Sequence, residues 1–186
     1  MTIGFAMCGS FCTFENVFPM IEKLTEKYTV IPILSQASAS IDSRFGQAES
    51  YVQKLTEICG QPPLSSIAEV EPIGPKKLLD ALIIAPCTGN TLAKLAHSIA
   101  DGPVTMAAKS HLRNGRPILL AISTNDALAG AAENIGKLMG RRHYYFVPFR
   151  QDDPIKKPTS IVADFTALPA ALEMALEQKQ LQPLLL

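Results

Sequence analysis

The sequence predicts an α/β fold: a parallel sheet with helices packed on both of its faces. Two observations carry this. Short apolar runs alternate along the chain with stretches whose apolar residues recur at helical spacing. The runs themselves show no polar alternation, as expected of strands buried on both sides. The composition agrees. The 186 residues are 47% hydrophobic and 18% charged, which suits a single packed domain over residues 1–186 rather than a disordered chain.

The elements follow in order. Thr2 to Cys8 reads as a buried strand ended by Gly9-Ser10. From about Glu15 to Lys27, Val17, Phe18, Ile21 and Leu24 share one helical face. Tyr28 to Leu34 is a second strand and Ser43 to Cys59 a second amphipathic helix. Gln61 to Lys77 is Pro-rich and irregular, with a short edge strand near Ile67. Asp80 to Pro86 is the clearest buried strand, and a helix follows it to about Ala100. A further helix from Pro103 to Arg113 is stopped by Asn114-Gly115. Pro117 to Ile122 is a strand, Asp126 to Met139 a helix, and His143 to Pro148 the last strand. Phe149 to Pro158 reads as a polar, Pro-bearing loop, and Ala167 to Gln180 as a closing helix.

Several function classes are excluded early. Lys+Arg and Asp+Glu number 17 each, so the formal net charge is zero, unlike the basic excess of a nucleic-acid binder. No apolar run reaches the ~18 residues of a membrane span. No lysine or arginine precedes Lys23, so a signal-peptide n-region is missing and a cytoplasmic location is expected. Cys8, Cys12, Cys59 and Cys87 form no CxxC pair, and His97, His111 and His143 are scattered, so no metal site is expected.

In a parallel α/β sheet the ligand lies beyond the C-terminal ends of the strands. The chemistry is therefore sought in the loops after Cys8, Leu34, Ala85, Ile122 and Pro148. The first loop is Cys8-Gly9-Ser10-Phe11-Cys12-Thr13. Its glycine lets the backbone turn and approach an anion, and hydroxyls with free N–H groups can hold one phosphate. Neither G-x-G-x-x-G nor G-x-x-x-x-G-K-[ST] is present, so a mononucleotide fits better than a dinucleotide. A plain helix cap would read the same way. Ser35 to Ser40 offers small hydroxyls for a sugar or ribityl chain, or simply a cap. Pro86-Cys87-Thr88-Gly89-Asn90-Thr91 packs two hydroxyls and an amide at a strand-to-helix junction, more than capping alone needs.

Here the sequence resembles a known family. Pro86 to Thr91 is similar to the Pro-Ala-Ser-Ala-Asn-Thr motif of the homo-oligomeric flavin-containing cysteine decarboxylases. Ala85 to Ala108 is similar to the corresponding segment of the flavin prenyltransferases. The likeness continues through Arg116 to Leu120, the helix with Asn134 and Leu138, and a closing Pro148…Pro158…Ser160-Ile161-Val162-Ala163-Asp164-Phe165 stretch. The resemblance implies a three-layer, Rossmann-like flavoprotein fold, FMN as cofactor, and a homo-oligomer, a trimer or larger. By position Gly9 and Ser10 take the phosphate, while Ser35, Thr88, Thr91 and Ser123 line the rest of the flavin site.

The chain also departs from these enzymes. It has no His between Met1 and Ala96, where the decarboxylases carry a catalytic one, and no Trp for their Pro-x-Met-Asn-x-x-Met-Trp motif. Ser123-Thr124 stands where the prenyltransferases have Arg-Glu. Thr105 to Arg113 and Phe149 to Pro154 resemble instead a branch that works as one component of an oxidoreductase complex. That resemblance implies a small dicarboxylate substrate and a partner subunit that holds NADP. Asn90 and Asn125 are then the expected catalytic amides. Asp126 is either a base or, the reading taken, the start of a helix. Among the cations Lys109, Arg113, Arg116 and Arg150, Arg150 is best located to bind a substrate carboxylate. A stand-alone decarboxylase or prenyltransferase and a non-catalytic scaffold remain the alternatives.

Overall fold

The central strands of the sheet are apolar on both sides because helices cover both sides. The computed structural model describes residues 1–186. The chain runs β1 (Thr2–Met7), α1 (Phe14–Thr25), β2 (Thr29–Leu34), α2 (Gln36–Ser40), α3 (Ala48–Cys59), α4 (Ile67–Val70), β3 (Ala81–Cys87), α5 (Gly89–Ala96) and α6 (Pro103–Leu112). It continues through β4 (Ile118–Thr124), α7 (Ala132–Met139), β5 (Tyr144–Phe146), β6 (Phe149–Asp153), β7 (Lys157–Ala163) and α8 (Leu168–Leu176). No helix is long and apolar enough to cross a membrane.

Strands β2, β1, β3 and β4 lie side by side and parallel, with β5 parallel to the first half of β4. Side chains alternate between the two faces. Ile3, Phe5 and Met7 join Phe14, Phe18 and Ile21 of α1, Leu55 of α3 and Leu172 of α8 in one apolar layer. Leu82 and Ile84 face the other way, onto Leu92 of α5, Ala107 of α6 and Leu138 of α7. The three-layer order of helix, sheet and helix results.

The segment read as a polar loop, Phe149 to Pro158, is instead β6 and the start of β7. These two strands form an antiparallel hairpin. The hairpin joins the sheet where β7 pairs antiparallel with Ser123 and Thr124 at the C-terminal end of β4. It hid because only Phe149 of β6 is buried, and Arg150 to Asp153 carry no apolar alternation. The sheet is thus mostly parallel, with an antiparallel flap at the ligand edge.

Three smaller expectations also change. The segment near Ile67 is the helical turn α4, started by a capping box rather than extended as an edge strand. The Ser66 hydroxyl accepts from Glu69 N–H, and the Glu69 carboxylate accepts from Ser66 N–H at 2.9 Å. The helix expected from Ser43 starts at Ala48, because Ser43 and Gly46 close a turn on each other and Asp42 Oδ1 accepts from Ala48 N–H at 2.9 Å. The helix expected from Asp126 starts at Ala132, because the Asp126 carbonyl is taken by the N–H groups of Ala129 and Ala131 in a turn.

Candidate active site

The loops after β1, β3 and β4 meet at one edge of the sheet. Cys8 N–H donates to Pro86 O at 3.3 Å, and Thr91 Oγ1 donates to Cys8 Sγ at 3.2 Å. The Cys8 and Cys87 loops are therefore neighbours, as their positions after parallel strands predict. Both thiols are buried. Burial outweighs the Thr91 hydrogen bond and pushes Cys8 up to about 11, so the floor of the site carries no thiolate at neutral pH.

Two clefts open over this floor. The larger, about 780 Å³, is lined by Ser10, Ser123, Asn125 and Arg150 among others. The smaller, about 440 Å³, is lined by Ser35, Asn90 and Thr91. Gly9 and Thr88 line both, so the two are halves of one groove. Such volumes fall in the range of about 300–1,000 Å³ common for small-molecule sites. All the expected site residues thus reach the groove, but Asn90 and Asn125 stand in different halves.

Much of the hydroxyl chemistry is engaged in shaping the loops. Ser35 caps α2, its Oγ accepting from Ser38 N–H at 3.2 Å. Thr88 caps α5 through Thr91 N–H at 3.4 Å. Ser10 Oγ lies 2.9 Å from Ser123 Oγ, which ties the first loop to the end of β4. Asn125 is tied to the flap: its Oδ1 accepts from Ser160 Oγ at 3.3 Å and its carbonyl from Thr159 Oγ1 at 2.6 Å. The exposed Asn90 and Arg150 side chains make no hydrogen bond or ion pair within the chain. They are free to engage a ligand.

Asp126 lines neither half of the groove. Its Oδ1 accepts from the Thr124 hydroxyl, and this pair packs on Gly89 at the start of α5. A Cβ on Gly89 would stand 2.7 Å from Asp126 Oδ1 and 2.8 Å from Thr124 Oγ1. Alanine for glycine in a helix ordinarily gains up to ~1 kcal/mol. Gly89→Ala is expected instead to cost about 1–3 kcal/mol through this overpacking, read as a lowered urea midpoint. A raised midpoint would show that the two loops do not abut.

The other candidate cations lie elsewhere. Arg116 donates to the carbonyls of Lys77 and Leu79 and sits 3.5 Å from Asp80, ahead of β4 and so at the opposite edge of the sheet. Lys109 and Arg113 line a separate hollow beside Leu95 and Tyr144. The sequence reading missed Cys12, Asn16, Asp152 and Lys157 in the larger cleft. The signal was the pairing of Asp152-Asp153-Pro154 with Lys156-Lys157-Pro158, opposite charges either side of a turn.

A three-layer, mostly parallel sheet with a hydroxyl-rich groove at the strand ends is a flavoprotein architecture. The chain belongs to the Flavoprotein family, whose model matches residues 1–163. It is a homologue of the B subunit of dipicolinate synthase. To that protein of Bacillus subtilis (strain 168) it is 47% identical over 184 residues, 98% of this chain and 92% of the relative. The crystal structure of the dipicolinate synthase B subunit from Bacillus halodurans matches all of this chain and 95% of its own, with a TM-score of 0.91 and 42% identity. DmrB of Burkholderia xenovorans, solved in complex with FMN, shares the fold at a TM-score of 0.72 and 18% identity, over 95% of each chain.

Proposed function

We propose that this chain is the B subunit of a dipicolinate synthase, an oxidoreductase that converts dihydrodipicolinate to dipicolinate during sporulation. In this reading it is a single-domain, cytoplasmic, homo-oligomeric protein that holds FMN and works with the A subunit of dipicolinate synthase. The carrying observation is the joined groove, with an unpaired arginine at one end, in a chain 47% identical to such a protein.

The groove suits FMN on its own chemistry. Its floor offers hydroxyls, backbone N–H groups and the buried, protonated Cys8 thiol. Nothing within 3.6 Å would oppose a Cβ on Gly9, so atoms of a ligand have room beside that backbone. Gly9 and Ser10 hold the phosphate, with Ser35, Thr88, Thr91 and Ser123 around the remainder. FMN, when bound, supplies a two-electron acceptor beside the substrate.

The residues of this chain bind and orient. The oxidation removes a hydride equivalent and a proton from the ring and is driven by aromatisation. A flavin in this groove or the NADP of the A subunit would accept the hydride. The proton leaves to the water that the open groove admits. Arg150 binds one substrate carboxylate. Asn90 and Asn125 present amides from the two halves of the groove, where they position substrate and flavin rather than transfer protons. The lack of a decarboxylase-type His before Ala96 speaks against the stand-alone decarboxylase.

The test follows dipicolinate formation in three mixtures: the A subunit on its own, this chain on its own, and both. Neither by itself is expected to turn over, and the mixture is. Asn90→Ala and Asn125→Ala are each expected to slow the mixture about tenfold, the scale of one hydrogen bond to a charged group. Full activity without this chain would leave it a scaffold.

A further inference from the structure

The larger half of the groove is lined by only two cations, Arg150 and Lys157, and both come from the β6–β7 flap. Three carboxylates share that wall: Glu15, Asp152 and Asp164. Glu15 pairs with Lys54 at 3.3 Å, and Asp164 accepts from Thr166 N–H at 3.0 Å and its hydroxyl at 2.6 Å. Asp152 alone engages a cation of the groove, holding Lys157 Nζ at 2.7 Å.

The geometry of the hairpin sets the spacing. Gln151 pairs with Ile161 and Asp153 with Lys157. Two steps along β6 thus oppose four along β7, so the irregularity belongs to β7 and β6 runs regularly. Arg150 and Asp152, two apart on a regular strand, share one face about 7 Å apart. Lys157, in contact with Asp152, brings its ammonium to that same face. Asp152, by its hydrogen bond and then its charge, raises Lys157 above its ordinary value, so it is a full cation at neutral pH. Cys12 of the first loop lines the same cleft as Lys157, so the flap cation and that loop share its wall.

We propose that Arg150 and Lys157 form a two-cation clamp for a dianion, with Asp152 standing in for the second carboxylate until the ligand arrives. The inference rests on the function proposed above and adds what selects its substrate. Two carboxylates set 1,3 on a six-membered ring offer two anionic ends, one for each cation. A monoanion gains only Arg150, because Lys157 already has a carboxylate. A dianion gains both, since Asp152 is partly exposed and can be rehydrated when Lys157 leaves it. The clamp also explains why Arg150 is left unpaired while Lys157 is not: one cation captures, the other is exchanged.

Titration calorimetry on the full chain tests this with pyridine-2,6-dicarboxylate, benzene-1,3-dicarboxylate and pyridine-2-carboxylate. The native chain is expected to bind both diacids about tenfold tighter than the monoacid, the scale of one added charged hydrogen bond. Lys157→Met should erase that preference and leave the monoacid unchanged. Asp152→Asn, which frees Lys157 and removes a negative charge, should tighten diacid binding a few-fold. A purely structural ion pair predicts the reverse for Asp152→Asn, so weakened diacid binding in a variant with native melting overturns the clamp. An undiminished preference in Lys157→Met does the same and leaves the substrate reading standing. No binding of any diacid to the native chain overturns the clamp, while the three mixtures above still decide the function.

Discussion

Gly9→Val is expected to abolish FMN binding while leaving the chain folded. Gly9 is shared by both halves of the groove, between β1 and the first loop. The sequence suggests two reasons for a glycine there, a tight turn and a close approach. The structure removes the first: Gly9 has no left-handed φ, and a Cβ would meet only Phe11 and Ala37, at 3.6 and 3.8 Å. A side chain is therefore tolerated by the protein itself, and its methyl groups fill the space proposed for the phosphate. Ser10→Ala should be far milder, about 1–2 kcal/mol, one hydrogen bond to a charged group. Flavin absorbance retained after desalting, with a melting curve beside it, reads both. Equal FMN affinity in native and Gly9→Val protein would place the phosphate elsewhere.

Acidification is expected to destabilise the protein through His111. This residue of α6 is fully buried. Its Nε2 lies 3.0 Å from the Pro117 carbonyl, so Nε2–H donates and Nδ1 is left buried with no partner. A second proton would place a charge among the apolar residues of the α6 layer. Burial is the main cause that lowers His111 from 6.5 to about 4; Arg116 adds to it, while the Pro117 hydrogen bond and Asp80 oppose it.

Above pH 6.5 the ring is neutral in both folded and unfolded chains, and nothing is lost. As pH falls from 6.5 toward 4, the unfolded chain takes up the proton and the folded one resists it. Stability then drops by about 3 kcal/mol in all, of which about 2 kcal/mol is gone at about pH 5. His111→Gln keeps a donor for Pro117 O and does not titrate. Its unfolding free energy should fall less than that of the native chain between about pH 7 and pH 5. Parallel losses in the two proteins would mean that His111 takes up its proton equally in the folded and unfolded chains.

The central sheet was legible in the sequence because burial on both faces leaves a local mark. Ile3 to Met7 and Ala81 to Cys87 are apolar almost without a break, and such a run has few readings other than a covered strand. The edge that binds follows from the same parallel order, since the loops after Cys8 and Cys87 must then lie together. That Thr88, Gly89, Asn90 and Thr91 share one turn follows likewise from the strand-to-helix change alone.

The tertiary structure decided the rest. β6 is held by backbone hydrogen bonds to β7, and those bonds are indifferent to side-chain type, so Arg150-Gln151-Asp152-Asp153 looks like any solvated loop. Asp126 gave a plausible helix start, but its carboxyl is taken by Thr124 and pressed on Gly89, a contact between loops far apart in the chain. Asn90 and Asn125 look equivalent in sequence, yet fall in separate halves of the groove. Hydrophobic burial writes itself into neighbouring residues, and so the chain itself determined the layers of this protein. Which polar groups meet depends on how distant loops come together, and only the folded chain decided that.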